Sequence, residues 1–457
     1  MELAPAWADL SLSHGGARLL QRQRDVCGAK SCGKHPTAGL SFPPTAGLDS
    51  YPPRPLVSSA SQAQLDVVII GGGIQGLVAL NALVEKGYSC ALVSDGDLGS
   101  GQTLHSHGYL NTGFGMFGPE LPRASVDVVQ PYLEKRGLEL SHDWVLIPPA
   151  SMPFFEGLPT ATLPSGFAAP SDLGAVRLPD RSLPKHRLVE ILSESHHDRI
   201  LRGHATPRWN GTQVEAVSVR LPGTRGGVVL STKAVVVAAG CGSKRFLQGL
   251  VGQTPQTEQI KHRRVHMICV RAPRGTLPTT SIVAMPLGLM LAAHDQPNNV
   301  VWYVTPVEMG GPSYDDIPGD AASDIDLEMV YRGCATLLTL YPRLPEIDGL
   351  QLGCYAGYRQ DVGDRPGNRM CELVEGTKNV VVALPSGLVG PWLNATRMCE
   401  ILSELVDPGG SQPPLTGAGV GVRVGSAVED RPDFGWMGWE EWLRKFPQLS
   451  VQASREK

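Results

Sequence analysis

A glycine-rich turn between a short apolar run and a helical segment constrains the fold of this chain more than any other feature. The apolar run, residues 65–70, suits a strand that is buried on both faces. It leads into G-G-G-I-Q-G at residues 71–76, and residues 77–86 have the composition of a helix rich in Leu, Ala and Val. A second apolar run follows at residues 90–93. This order of strand, turn, helix and strand predicts a Rossmann-like nucleotide-binding unit.

Each glycine of the turn has a separate task in such a unit. Gly71 permits the tight turn, Gly73 lets the backbone approach a pyrophosphate, and Gly76 allows close contact between helix and sheet. Ile74 and Gln75 belong to the turn that leads into the helix, whose positive end faces the negative charge of the ligand. The turn therefore predicts a dinucleotide cofactor.

The end of the second strand departs from the usual pattern for binding ribose. An acidic residue normally holds the ribose hydroxyls at this position, but the chain has Ser94, followed directly by Asp95. Either Asp95 reaches the ribose after a small shift, or Ser94 makes a weaker hydrogen bond. Because no Arg stands there to accept a 2′-phosphate, NADP is disfavoured.

The next loop, residues 96–113, is full of small and hydroxylic residues, which suits a backbone that wraps closely around a bulky ligand. It resembles the loop of the D-amino-acid oxidase (DAO) superfamily of FAD-dependent oxidoreductases. The most similar branch is that of the L-2-hydroxyglutarate oxidases, whose loop reads H-Q-T-x-H-N-S-G-x-x-H-x-G. The residues that match this pattern are Gln102, Thr103, His105, Gly108 and Gly113. The residues that depart from it are Ser106, His107 and Asn111. His105 also stands where the dimethylglycine and sarcosine dehydrogenases have their flavin-linking histidine.

Two later segments support this resemblance and imply FAD as the cofactor. Residues 233–243 resemble the second FAD-contacting strand of the superfamily, which ends in A-x-G, here at Ala239 and Gly240. Residues 379–390 resemble the closing FAD motif, a strand and turn before a helix. The resemblance implies that the turn faces the N1–C2=O edge of the flavin, where positive dipoles stabilise the reduced ring. The residues of this turn are Gly387, Leu388, Val389 and Gly390.

The segments between these motifs indicate a second domain. Residues 259–271 and 300–304 alternate and are β-branched, which favours an antiparallel sheet that roofs the flavin. The predicted fold class is therefore α/β, a Rossmann-like, glutathione-reductase-like FAD-binding domain with an inserted antiparallel-sheet substrate domain (α+β). The predicted boundaries are a flexible extension at 1–64, FAD-binding parts at 65–135, 185–250 and 351–406, substrate-domain parts at 136–184 and 251–350, and a C-terminal linker with a Trp-rich tail at 407–457.

Three residues are candidates for catalysis. Residues 355–359 resemble the family segment G-x-R-P, which implies that Arg359 pairs with a substrate carboxylate, although Gln360 replaces the Pro. A guanidinium group suits that role because it binds a carboxylate bidentately. The alternative is that Arg359 forms an internal salt bridge. His105 could act as a base, link the flavin covalently or hydrogen-bond the cofactor. Tyr303 could contact the substrate or pack locally.

These features predict an FAD-dependent oxidase or dehydrogenase that moves a hydride from a carbon bearing nitrogen or oxygen to flavin N5. An amine or amino acid is the leading substrate class. A 2-hydroxy acid is the alternative, and His105 would then take the hydroxyl proton. A protein that keeps the FAD fold as a non-catalytic scaffold is the rival hypothesis.

Composition excludes several other classes of protein. Lys and Arg number 40 against 44 Asp and Glu, so the chain lacks the basic field that nucleic acid requires. The longest apolar stretch, residues 281–293, is too short to cross a bilayer core of about 30 Å. The nine cysteines lack metal-ligand spacing, which argues against a zinc site and favours a reducing compartment.

The expected partner is therefore a small-molecule substrate carrying a carboxylate. The expected location is cytoplasmic, or organellar such as mitochondrial if residues 1–64 are a transit peptide. In the tail, Trp436, Trp439 and Trp442 share one helical stripe that packs on the protein itself, forms a homo-oligomer contact or adsorbs to a membrane surface.

Overall fold

The computed structural model describes most of the chain beyond residue 63, and these residues fall within one unit, 58–457. The described ranges are 64–111, 124–141, 143–147, 159–168, 174–223, 226–306, 313–314, 325–363, 368–385, 387–409, 415, 421–426 and 435–449. The predicted N-terminal extension therefore lies outside the described residues, apart from Gln64. Gly113, in the loop of residues 96–113 that we call the flavin loop, also lies outside them.

The described residues form strands that belong mainly to two sheets, together with short and medium helices. The strands are β1 (Gln64–Ile70), β2 (Cys90–Ser94), β3 (Tyr109–Leu110), β4 (Trp144–Ile147), β5 (Thr160–Ala161), β6 (Ala175–Leu178), β7 (Arg181–Ser182), β8 (Ile200–Arg202), β9 (His204–Trp209), β10 (Val214–Arg220), β11 (Gly227–Val237), β12 (Ile260–Pro273), β13 (Ser281–Ala284), β14 (Leu289–Asp295), β15 (Asn299–Pro306), β16 (Ser313–Tyr314), β17 (Gln351–Val362), β18 (Met370–Leu373), β19 (Val380–Leu384) and β20 (Met437–Gly438). The α-helices are α1 (Ile74–Glu85), α2 (Gln102–His105), α3 (Gln130–Glu134), α4 (Lys185–Glu194), α5 (Ser243–Val251), α6 (Pro255–Glu258), α7 (Leu327–Leu340), α8 (Gly390–Leu405) and α9 (Trp439–Lys445). Shorter turns of 3-10 helix lie at His197–Arg199, Gly240–Gly242, Met285–Leu287 and Leu344–Glu346, and a π-helical turn lies at Ser125–Val129.

The first sheet is built around β1 and has the order β18-β19-β11-β1-β2-β8, with the β9–β10 hairpin attached to β11. β1 pairs in parallel with β2 on one side and with β11 on the other. All its residues except the first are buried. Val67 and Ile69 belong to the same core as α1 and α8, whereas Val68 and Ile70 pack with Leu247 of α5. The predicted strand buried on both faces and the predicted helix after the glycine turn are therefore confirmed.

The second sheet is built around an antiparallel pair, β12 and β17, and has the order β20-β17-β12-β15-β14-β13-β4-β6-β5. Its residues alternate between two cores. Ile268 and Val270 share a core with α7, and Met267 and Cys269 belong to the opposite face. The predicted antiparallel sheet and the α/β fold class with an inserted α+β part are thus confirmed.

One predicted boundary differs from the observed pairing. Residues 351–362 were predicted to lie in the last FAD-binding part, but as β17 they pair with β12 along its length, from Ile260 opposite Val362 to Arg271 opposite Gln351. The chain therefore returns to the first sheet later, at β18 and β19. The reason is that the strand that pairs with β17 lies about 90 residues earlier in the chain. No local sequence pattern indicates such a distant partner.

The tryptophans of the C-terminal tail pack on the body of the protein. The Trp442 side chain is fully buried, and its ring centroid lies 4.8 Å from that of Phe446. Both rings belong to the core that α7 forms with one face of the second sheet. Trp439 packs against the same core, and the guanidinium of Arg271 lies 4.2 Å from the Trp436 ring centroid. Of the three interpretations of this stripe, the structure supports internal packing. No helix in the described part of the chain is long and apolar enough to span a membrane.

We expect Trp442→Ala to lower the free energy of unfolding by about 3–5 kcal/mol, because a fully buried aromatic side chain is replaced by a cavity. Urea denaturation followed by tryptophan fluorescence and circular dichroism measures this loss. Glu441→Ala, an exposed position on the same helix, is the matched control and should change stability little. Equal stability of the two variants would show that the tail is not part of the core.

Candidate functional site

The glycine turn brings the start of α1 into direct contact with the end of β1. A side chain carbon at Gly76 would overlap the carbonyl oxygen of Gly71, and one at Gly71 would overlap the carbonyl oxygen of Ala238. Gly71 also has φ +121°, a conformation that favours glycine. The backbone is thus held open at the helix N-terminus, where N–H groups and the helix dipole favour a bound phosphate group.

The end of β2 contributes Ser94 and Asp95 to the same site. The Ser94 hydroxyl donates a hydrogen bond to the carbonyl oxygen of Gly96 over 2.9 Å, and Asp95 is exposed. Both residues line the cavity described next. Because the proton of Ser94 is already donated within the loop, its oxygen can contribute only as an acceptor, and Asp95 is the better candidate for the ribose hydroxyls.

A cavity of about 1370 Å³ runs from the glycine turn to the second sheet. Typical ligand pockets have volumes of roughly 300–1,000 Å³, so this cavity has room for an extended cofactor and a small substrate. The predicted cofactor residues that line it are Gly71, Gly73, Ile74, Gln75, Ser94, Asp95, Gln102, Thr103, His105, Ala239, Gly240, Gly387, Leu388 and Val389. The predicted residues outside the lining are Gly76, Gly108 and Gly390. At each of them an added side chain carbon would lie within 3.4 Å of a neighbouring atom. The residues present therefore fit FAD: an open backbone at a helix N-terminus for the pyrophosphate, and the start of α8 beside Val389 for the flavin edge.

Two arginines and one aspartate form a charged cluster on the cavity wall. Arg263 on β12 and Arg359 on β17 stand directly opposite each other in the sheet. The buried Asp361 carboxylate lies between them, with its oxygens 2.9 Å from Arg263 Nε and 3.0 Å from Arg359 Nε. Both guanidiniums reach the cavity lining. The predicted internal salt bridge of Arg359 exists, yet two positive charges share one negative charge, so the cluster remains positive.

The predicted catalytic histidine lies at the cavity between the two sheets. Nδ1 of His105 lies 2.8 Å from the carbonyl oxygen of Gly101, which assigns the ring proton to Nδ1 and the lone pair to Nε2. The ring stands edge-on to Tyr355, with 5.5 Å between the centroids. A side chain carbon on Gly357 of β17 would lie 3.6 Å from the Cβ of His105, so the strand passes close beside the histidine.

His107, which departs from the family loop, also lines the cavity. Burial, together with the smaller effects of the nearby charges of Lys185, His294 and Arg359, lowers the pKa of His107 to about 3. The ring is therefore neutral at physiological pH. This position shows that the surroundings of the cavity disfavour an additional positive charge.

The remaining predicted catalytic residue lies elsewhere. Tyr303 is fully buried in the second sheet and lies outside the cavity lining. The Nζ of Lys185 lies 3.9 Å from the centroid of its ring, and the ring of His294 stands edge-on to it at 5.2 Å. Tyr303 thus contacts two residues that sequence reasoning missed. Lys185 and His294 are isolated in the sequence, and only the fold brings them to the flavin loop.

Comparison with known proteins defines the class. Residues 66–160 match the family model described as DAO, FAD dependent oxidoreductase. The predicted resemblance to FAD-dependent oxidoreductases of the DAO family is confirmed for these residues, and FAD is the cofactor that the matching model names. Residues 66–111 of the matched range contain the glycine turn and the loop that lines the cavity.

The chain is also similar to individual proteins, both in sequence and in structure. The chain is 35% identical over 108 residues to the mitochondrial L-2-hydroxyglutarate dehydrogenase of Pongo abelii, which is 21% of this chain and 26% of that protein. The chain thus spans about a quarter of the length of that curated relative. Among solved structures, an FAD dependent oxidoreductase from Pseudomonas aeruginosa matches with a TM-score of 0.61 and 22% identity, over 80% of this chain and 98% of that one. Glycine oxidase from Geobacillus kaustophilus matches with a TM-score of 0.57 and 17% identity, over 77% and 97% of the two chains.

We expect Gly76→Ala to weaken FAD binding by roughly 10- to 100-fold, because the new methyl group forces α1 away from the end of β1. Titration of the apoprotein with FAD, followed by quenching of flavin fluorescence, measures this change. Gly226→Ala is the control, since a side chain carbon there meets no atom within 4 Å. Unchanged affinity in Gly76→Ala would argue against pyrophosphate binding at this turn.

Proposed function

We propose that this protein is an FAD-dependent oxidoreductase that oxidises a small carboxylate-bearing substrate at a carbon attached to nitrogen, an amino acid or a secondary amine. The observation that carries this proposal is the cluster of Arg263, Arg359 and Asp361 on the cavity wall, where two guanidiniums share one carboxylate. The lowered pKa of His107 in the same cavity agrees with it. The positive charge of this cluster favours an anion, whereas the positive charge and the burial together disfavour a cation.

This electrostatic environment matters because an ammonium group cannot release a hydride from its neighbouring carbon, whereas a neutral amine can. The same burial and positive charge that keep His107 neutral would lower the pKa of a bound amine. A substrate with one carboxylate and one amine would therefore bind as an anion, with the amine already deprotonated. No separate base is required for this step.

Arg359 is the proposed anchor for the substrate carboxylate. Its Nε lies 3.0 Å from an Asp361 carboxylate oxygen, and the residue lines the cavity. In this proposal Asp361 orients the guanidinium, whose terminal nitrogens would bind the substrate. Bound FAD would supply the hydride acceptor of the reaction. The residues of the chain would then hold the substrate and exclude water, with Met267, Met290 and Tyr355 providing the apolar part of the wall.

A 2-hydroxy acid is the second candidate, and the His105 loop favours it. The relative with 35% identity over this region is named L-2-hydroxyglutarate dehydrogenase. Oxidation of a hydroxyl-bearing carbon needs a group that accepts the hydroxyl proton, and the tautomer of His105 places a lone pair on Nε2. The name of this relative also includes "mitochondrial", which supports the organellar alternative for the location of this protein.

Anaerobic titration of the FAD-loaded protein with amino acids, secondary amines and 2-hydroxy acids tests the proposal. Bleaching of the flavin absorbance by amino acids or secondary amines supports it. Bleaching by 2-hydroxy acids alone would favour the second candidate. A flavin that is bound but reduced by neither class would contradict both proposals and favour the non-catalytic scaffold.

We expect Arg359→Gln to lower kcat/KM by roughly 10²-fold, mainly through a higher KM, because the substrate carboxylate loses a bidentate charged partner. Arg359→Lys keeps the charge without the fork and should recover only part of this loss. Steady-state kinetics measure both variants, and Arg343→Gln, at an exposed ion pair, is the matched control. An unchanged KM in Arg359→Gln would exclude Arg359 as the anchor.

The response to His105→Gln separates the two substrate classes. If the protein oxidises a hydroxy acid, removal of the base should slow flavin reduction by roughly 10²- to 10⁴-fold. If it oxidises a neutral amine, reduction should slow far less. Stopped-flow measurement of the reduction rate decides this, with the absorbance spectrum of bound FAD as a check that the site remains intact.

A further inference from the structure

The flavin loop is held by side chains that bind its carbonyl groups one after another. Nζ of Lys185 donates hydrogen bonds to the carbonyl oxygens of Leu104 and Ser106, over 3.0 and 2.6 Å. Lys185 is the first residue of α4 and is only 4% exposed. One buried ammonium group therefore fixes two alternate peptide groups of the loop.

The second sheet supplies the donors for the two remaining carbonyls. The Tyr355 hydroxyl on β17 donates to the carbonyl oxygen of His105 over 2.8 Å. Nε2 of His294 on β14 lies 2.9 Å from the carbonyl oxygen of His107, so this nitrogen carries a proton and donates it. All four carbonyl groups of residues 104–107 thus accept hydrogen bonds from side chains, two through Lys185 and two through the second sheet.

The surroundings of the Lys185 side chain suit a positively charged hydrogen-bond donor. Its Nζ lies 3.9 Å from the ring centroid of Tyr303, which adds a cation–π contact beneath the loop. A buried ammonium group is costly unless its donors are satisfied, so the carbonyls and the ring together stabilise one loop position. Hydrogen bonds from charged donors are also shorter and stronger than those between neutral groups.

We propose that Lys185 is a positioning residue that, together with Tyr355 and His294, holds residues 104–107 so that His105 and His107 face the reacting centre. We call these three donors the carbonyl clamp. The catalytic consequence rests on the proposed function, whereas the effect on the loop does not. Displacement of reacting groups by about 1 Å can cost roughly 10²-fold in rate, so a loosened loop should be visible in kinetics.

Hydrogen exchange of the FAD-loaded protein tests the clamp directly. In Lys185→Met, which keeps the length and loses the charge, we expect amides of residues 102–110 to exchange roughly 10-fold faster or more. Arg187→Met removes an exposed cation from the same helix and should leave this peptide unchanged. Tyr355→Phe, which removes a single donor, is the milder variant if Lys185→Met does not fold, and should give a smaller increase. Unchanged exchange in the folded variants would overturn the proposal.

The kinetic measurement separates positioning from general destabilisation. Lys185→Met should slow flavin reduction by roughly 10- to 100-fold while the substrate dissociation constant stays nearly the same, and Lys185→Arg should restore part of the rate. The pKa of His107, followed by NMR of labelled histidine, should rise in Lys185→Met and remain low in Lys185→Arg. Faster loop exchange with an unchanged reduction rate and an unchanged pKa would overturn the positioning role. If no substrate reduces the wild-type flavin, the proposed function fails, while the exchange and NMR results still decide the clamp.

Discussion

The contact between Gly76 and the carbonyl oxygen of Gly71 is the constraint on which the site depends. With no side chain between them, α1 starts directly after the end of the central strand, and its first residues, Ile74 and Gln75, line the cavity. The N–H of Ile74 is bonded over 3.0 Å to the Thr103 hydroxyl oxygen, which ties the flavin loop to the helix start. The cofactor site and the loop that approaches the substrate are therefore set by one backbone contact.

The features that could be predicted from the sequence are those whose cause is local. The strand at residues 65–70, the glycine turn and the alternation of residues 259–271 each arise from neighbouring residues, and each is present in the structure. The place of β17 was predicted wrongly because its partner lies far away in the chain. Lys185 is about 80 residues from the carbonyls that it binds, and a single lysine at a helix start has no pattern to distinguish it.

The charges of the cavity result from an unusual pairing in the second sheet. Arg263 and Arg359 stand opposite each other, a placement that is destabilising for like charges. Asp361 offsets this by binding both, and its burial makes the arrangement rigid. Loss of one partner would leave the others buried without full compensation, so the three charges stabilise the cavity wall only as a set.

The two sheets contribute different parts of the same site, and the loop of residues 102–107 joins them. The first sheet supplies the backbone positions that fit the cofactor, while β12 and β17 supply charged and apolar residues to the rest of the cavity wall. The loop packs against β17 at Gly357 and is bonded to both sides through its carbonyl groups. The residues that fit the cofactor and the charged cluster thus belong to different sheets. The second sheet also bears directly on His105, through the edge of the Tyr355 ring and through the close passage of Gly357.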